Sequence, residues 1–252
     1  MYGLKQFWHS TIGKKIVMAV TGIIGILFVI GHMSGNLLMF SGPEAIHKYA
    51  ELLRTSMPLL WAVRITLIVS VVLHIMAAVQ LTRRAQAARP QAYAMRRPQV
   101  TTFAARTIRI GGLIIVLFII YHIMHMTLGW VHPSFVHLDP YHNLSVGLAN
   151  PIVAGFYLLA VIALGYHLYH GTWSAFRTLG VSPSSVHPLK RRIALVVAVI
   201  VAAGFAVIPI ATQAGLFPDA PAIMEDSATQ ATAGPAVTAS ATHQENTMAE
   251  TH

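Results

Sequence analysis

Ile119-Ile-Tyr-His-Ile-Met-His-Met-Thr-Leu-Gly-Trp130 closes an apolar run that begins near Ile110, and it carries two histidines, His122 and His125, three residues apart. A histidine in a segment apolar enough for lipid is costly unless something pairs with it. The same situation recurs on three other apolar segments, at His32, His74 and the His167/His170 pair. What these histidines hold decides both fold and function.

The background is that of an integral membrane protein. Of 252 residues 55% are hydrophobic and only 10% charged, against about 25% charged in ordinary soluble domains; mean hydropathy is +0.62. The net charge of +9 comes from basic residues in short loops between apolar runs. That distribution belongs to topology determinants rather than to a nucleic-acid face. There is no cysteine, which excludes disulfides, thiolate metal sites, cysteine-held iron–sulfur clusters and covalently attached haem in this chain.

Five apolar segments, 14–40, 58–82, 107–130, 151–176 and 191–213, each reach the ~20 residues that cross a bilayer. In lipid the backbone must satisfy its own hydrogen bonds, so the expected fold is all-α, with five transmembrane helices forming a bundle. Lys5, Lys14 and Lys15 precede the first run as in a signal peptide, but the run continues to about Phe40 without a small-residue cleavage site, so it reads as a retained helix. Ser56-Met57-Pro58 and Asn150-Pro151 mark the starts of the second and fourth helices. Lys5, Lys14 and Lys15, then Arg83, Arg84, Arg89, Arg96, Arg97 and Arg106, then Arg177, Lys190, Arg191 and Arg192 fall on one side, expected to be cytoplasmic. This places the N-terminus inside and the C-terminus outside a bacterial-type inner membrane. Residues 1–213 are the expected membrane domain. Residues 214–252 read as a disordered, acidic, Ala/Thr-rich outer tail.

Depth sorts the histidines. His32 and the His122/His125 pair lie on the outer halves of helices one and three, and His74 and the His167/His170 pair on the inner halves of helices two and four. At 1.5 Å per residue the two levels are expected ~12 Å apart. Two stacked His–His pairs in a bundle suit two b-type haems, because bis-imidazole ligation closes the iron to oxygen and tunes it for electron transfer. The intervals 32 to 74 and 122 to 167 also hint at a repeated two-helix unit. One such histidine is ordinarily a packing residue; four on four helices at two matched levels are harder to explain that way. The rival reading is a haem-free, His-lined transporter, which ordinarily carries intramembrane carboxylates. Here every Asp and Glu lies outside the five spans. Met33, Met76, Met124 and Met126 lie close by and read as packing or lipid-facing residues.

Gly31-His-Met-Ser-Gly-Asn36, His74, Tyr121-His122 and Tyr166-His-Leu-Tyr-His-Gly-Thr-Trp-Ser174, with Trp8-His9-Ser10 and Gly42-Pro-Glu-Ala-Ile-His-Lys-Tyr-Ala50, together resemble a known family. The chain from about 5 to 213 is similar to the five-helix, di-haem cytochrome b subunit of succinate dehydrogenase/fumarate reductase, the b558 type of respiratory complex II. The resemblance implies a membrane anchor with two b haems, docked on its cytoplasmic face by a flavoprotein subunit and an iron–sulfur subunit, and passing electrons to quinone, commonly menaquinone. It would be the non-flavin subunit of an oxidoreductase complex of the tricarboxylic acid cycle, with quinone chemistry possible at this subunit. An anchor of another dehydrogenase is the nearer alternative, though such anchors resemble a different helix and histidine layout.

Carried over by motif, the resemblance implies that His74 and His167 ligate the haem nearer the cytoplasm and His32 and His122 the outer one. The family's fourth ligand is followed four residues later by glycine, a pattern that His167 meets with Gly171 and His170 does not. Depth does not separate His122 from His125; the family match favours His122. Donors for haem propionates are sought at the inner edge among His9, Ser10, Arg109 and Arg177. Titratable groups near quinone are sought among Glu44, Glu51 and His47 outside, or His9 and Arg109 inside. His132, His137, His142 and His187 read as interfacial.

Overall fold

The computed structural model describes residues 2–88, 103–180 and 187–218. These residues are helical, with no strand among them: α1 (Tyr2–His9), α2 (Thr11–Asn36) running into a 3-10 turn (Leu37–Ser41), α3 (Pro43–Arg54), α4 (Met57–Ala87), α5 (Phe103–Met126), α6 (Pro140–Gly147), α7 (Pro151–Thr178) and α8 (His187–Gln213). Five stretches, Thr11–Ser41, Met57–Ala87, Phe103–Met126, Pro151–Thr178 and Pro188–Gln213, are long and apolar enough to cross a membrane. The fold is all-α, as expected.

Local chemistry sets the helix ends. Ser10 caps α2 by accepting from the Gly13 amide at 2.8 Å, and Asn150 caps α7 by accepting from Ile152 at 2.9 Å, with Pro151 next in line. Such caps contribute roughly 1 kcal/mol each. The third span closes earlier than the apolar run suggests. The Trp130 amide donates to the Met124 carbonyl at 2.9 Å, and Gly129 takes a φ of +70°, where a Cβ would collide with the Phe135 ring. Only glycine meets both demands.

Two short helices, α3 and α6, lie outside the spans and pack on each other. α3 opens at Gly42 (φ +93°) and Pro43. α6 opens at Asp139, whose carboxylate accepts from the His142 amide at 2.9 Å, followed by Pro140. The same carboxylate accepts from His47 Nε2 at 2.9 Å, tying α3 to α6. These helices close one end of the bundle, here called the cap end, over a core of Met39, Ile46, Tyr141, Leu148, Tyr157, Ile208 and Phe217. Phe217, which the sequence assigns to the tail, is buried and meets the Phe40 ring at 5.0 Å. The rest of the tail, 219–252, and the loop residues Arg89, Arg96 and Arg97 lie outside the described residues.

At the opposite, basic end, Lys14 is buried and donates to the Trp8 carbonyl, folding α1 back on α2, and Arg84 reaches Thr11 at 3.4 Å. Lengthwise, α2 packs on α4, α7 and α8, and α7 packs on α5 and α8. Among the described residues neither α2 with α5 nor α4 with α7 forms a close helix–helix contact. These two pairs therefore stand across the bundle from one another.

Candidate functional site: two histidine pairs across the bundle

The first pair lies towards the cap end. His32 and His122 sit four residues before the ends of α2 and α5, and their rings approach to 5.8 Å between centroids with planes at 82°. Each ring stacks on a phenylalanine one turn earlier in its own helix, Phe28 at 5.4 Å and Phe118 at 5.5 Å. Phe205 of α8 covers His32 from a third direction. His122 Nδ1 lies 3.2 Å from the Tyr157 hydroxyl of α7. On His32 the Asn36 amide approaches Nε2 only to 3.5 Å, too far for a good hydrogen bond.

The second pair lies deeper. His74 of α4 and His167 of α7 approach to 6.0 Å with planes at 53°. His74 Nδ1 is 3.1 Å from Thr21 Oγ1, which itself donates to the Val17 carbonyl at 2.7 Å. With that proton committed, Thr21 accepts from His74. The His74 proton is therefore on Nδ1, and Nε2 keeps its lone pair. His167 Nδ1 is buried without a partner among the described residues. Its ring lines an apolar groove of about 210 Å³ between α5 and α7, bounded by Thr107, Gly111, Ile114, Ile162 and Tyr166.

Thr21, which marks the level of the second pair on α2, is eleven residues before His32. The two levels are therefore ~16 Å apart along that helix at 1.5 Å per residue, wider than the ~12 Å expected. The difference arises because α2 (Thr11–Asn36) and α5 (Phe103–Met126) begin and end earlier than the apolar runs 14–40 and 107–130, so that His32 and His122 sit further from their helix midpoints.

Spacing tests what these pairs fit. An imidazole nitrogen sits about 2 Å from a bound metal, with the ring centroid roughly 1 Å behind it, so two rings on opposite sides of one ion have centroids roughly 6 Å apart. Both pairs meet that distance. Both also join helices that do not pack closely on each other, which is where a broad apolar macrocycle has room. Among the described residues no cluster of three or more His, Asp or Glu side chains forms a metal cage. What the structure brings together is two separate imidazole pairs.

The neighbouring histidines are placed differently. His125 is fully buried, its Nδ1 is 2.9 Å from the Tyr157 hydroxyl, and its ring lies against His132 at 5.0 Å rather than against His32. A Cβ on Gly147 would come to 3.0 Å from His125 Cε1, so α6 is pressed onto that ring. His170 Nδ1 is buried without a partner, and His170 makes no ring contact with His74 among the described residues. Met33 seats on Gly204 in the α2–α8 contact, a packing role.

The chain is similar to a succinate dehydrogenase cytochrome b558 subunit. That relative, from Bacillus subtilis (strain 168), is 25% identical over 202 residues, covering 80% of this chain and 92% of its own length. No family model and no solved structure matches the chain.

The edge residues named from the sequence are spread out. Ser10 uses its hydroxyl in the α1–α2 junction, donating to Phe7 at 2.8 Å and accepting from Gly13. His9 ends α1 and is exposed, and Arg109 is exposed on α5. Arg177 lies over the Trp173 ring at 5.1 Å, with Arg191 over the same ring at 5.0 Å. At the cap end Glu44 pairs with Lys48 at 2.7 Å, which lowers the Glu44 pKa. His47 is tied to Asp139, while Glu51 is exposed. His132 donates to the Asn143 carbonyl at 2.9 Å; burial lowers its pKa, and nearby His142 adds to that, against the opposing pull of the carbonyl. His142 bonds Ser134, His137 is exposed, and His187 begins α8. Sequence reasoning missed Thr21, Tyr157 and the two phenylalanines. The last had a signal, since Phe-x-x-x-His occurs at both 28–32 and 118–122.

Proposed function

We propose that this chain is the membrane-anchor cytochrome b of a succinate:quinone oxidoreductase, holding two b haems between His32 and His122 and between His74 and His167. The observation that carries the proposal is the pair of His–His contacts at 5.8 and 6.0 Å, each bridging helices that do not pack closely on one another. The similarity to a cytochrome b558 subunit agrees with it. When bound, the haems supply one-electron carriers between an iron–sulfur partner and quinone, menaquinone being the expected acceptor.

The protein's own residues do the holding. Thr21 fixes the His74 proton on Nδ1 and so presents Nε2 to the metal. Phe28 and Phe118 keep the His32 and His122 rings from rotating into lipid. The helices shield both sites from water, as a site for electron transfer rather than oxygen chemistry requires. The basic end, with Lys15, Arg83, Arg84, Arg106 and Arg192, faces the cytoplasm and receives the flavoprotein and iron–sulfur subunits. The cap end faces outward. Arg109, Arg177 and His9 remain the donors proposed for haem propionates and the inner edge. The reading of His125 and His170 as non-ligands rests on neither having, among the described residues, a facing histidine on an opposed helix.

A reduced-minus-oxidised spectrum of the purified protein with a pyridine haemochrome assay tests the proposal. About two b haems per chain are expected, together with a co-purifying flavoprotein and iron–sulfur protein. Haem-free protein would leave the His-lined transporter as the better reading.

A further inference from the structure

One phenol lies between two histidines of the cap end. Tyr157 is buried on α7, and its hydroxyl is 3.2 Å from His122 Nδ1 and 2.9 Å from His125 Nδ1. A phenol has one proton to give and lone pairs to accept with. If His122 binds metal through Nε2, as the proposed function has it, its proton is on Nδ1 and can only be donated, so the Tyr157 oxygen accepts it. The single Tyr157 proton then goes to the other neighbour, His125 Nδ1, at the shorter distance. That leaves the His125 proton on Nε2, an atom buried with no partner among the described residues.

We infer that Tyr157 is the positioning residue of the His122 site, accepting from the ligand imidazole and donating to His125, so that one oriented relay fixes the ring of His122 and the tautomer of His125. The inference rests on the proposed function. It accounts for why two histidines occur three residues apart on α5 although one faces His32. His125 completes the hydrogen bonding of the phenol that aims its neighbour. Gly147 holds it there, because a side chain at that position would run into both His125 and His132.

The relay has an electronic consequence. A ligand imidazole that donates its second N–H is a stronger base and a better donor to ferric iron than one that does not. Tyr157→Phe removes the acceptor while keeping the ring that packs on Phe118 and Tyr121. In the complex carrying this variant, potentiometric titration followed optically and by EPR should show both haems still bound. The midpoint potential of one haem should move positive, its low-spin ferric signal should change, and the other haem should be unaltered. His125→Leu removes only the far end of the relay and should move the same haem in the same direction by less, since a phenol that no longer donates is a weaker acceptor.

Two haems with unaltered potentials and signals in both variants would overturn the inference while leaving the proposed function standing, as would equal shifts of both haems. Loss of one haem in His125→Leu would make His125 the ligand and overturn it too. If Tyr157→Phe does not assemble, the His125→Leu titration decides alone. Wild-type protein without haem would instead refute the proposed function and the inference with it.

Discussion

The two histidine pairs have nearly the same ring spacing and almost nothing else in common. Around His32 and His122 the neighbours are aromatic: Phe28, Phe118, Phe205 and Tyr157. Around His74 they are small, Ser70 one turn before it and Thr21 across on α2, and His167 lines a groove walled by Gly111, Ile114 and Ile162, with the Phe103–Tyr166 ring pair also lining it. The first pair is clamped by stacked rings near a capped end. The second is held by one hydroxyl whose own proton is fixed on the backbone. Distance alone decides whether a pair of imidazoles fits an iron. The neighbours decide how firmly each ring is aimed and how basic it is, so two equal spacings imply two unequal sites.

The largest test of this contrast is to delete one ligand at a time. His32→Ala and His122→Ala should each remove the same haem, lowering the haem content from about two to about one per chain, and leave the other spectrally intact. His74→Ala and His167→Ala should remove the complementary one. If His32→Ala and His74→Ala removed the same haem, the pairing across the bundle would be wrong. A smaller effect is expected from Thr21→Val, which keeps the shape but removes the acceptor for His74. Haem content should be retained, the midpoint potential of the deeper haem should move positive, and that of the haem near the cap end should stay put. Movement of both would mean that the two sites are not as separate as ~16 Å along α2 implies.

The smallest effect concerns the cap itself. The folded state lowers the pKa of His132 below its ordinary value near 6.5, mainly through burial. Neutral His132 is thus favoured in the folded state. Its contribution to stability is complete above about pH 6.5 and is lost as pH falls through the lowered folded value. The thermal midpoint of the wild-type protein should therefore fall more between pH 7.5 and 5 than that of His132→Gln. Parallel curves for the two proteins would refute that assignment.

The parts legible in the sequence were those that chemistry repeats. Five spans followed from apolar length. Two pairs on alternate helices followed from antiparallel order, since His32 and His122 end their helices at one side while His74 and His167 sit deeper in theirs. The level spacing came out short because α2 and α5 start in polar sequence ahead of their apolar runs and end before those runs do, which puts His32 and His122 nearer their helix ends. α3 and α6 were unannounced by hydropathy, although Gly42-Pro43 and Asp139-Pro140 carry turn and capping chemistry. Thr21 and Tyr157 could not be singled out, because a hydroxyl in an apolar helix gains meaning only from the helix that faces it. Between His122 and His125 depth is silent, and it is the His122 ring that faces His32.

The opposed helices have one last consequence. Among the described residues α2 with α5, and α4 with α7, do not form the close helix–helix contact that ordinarily joins transmembrane helices, and the imidazole pairs lie along those two diagonals. Under the proposed function each haem is therefore also a cross-brace, and the free energy of haem binding is free energy of assembly. Insertion of five helices into the membrane would be only the first stage of maturation. The bundle would become one rigid body when both braces are in place, so the supply of haem would govern how much anchor is fit to receive its partner subunits.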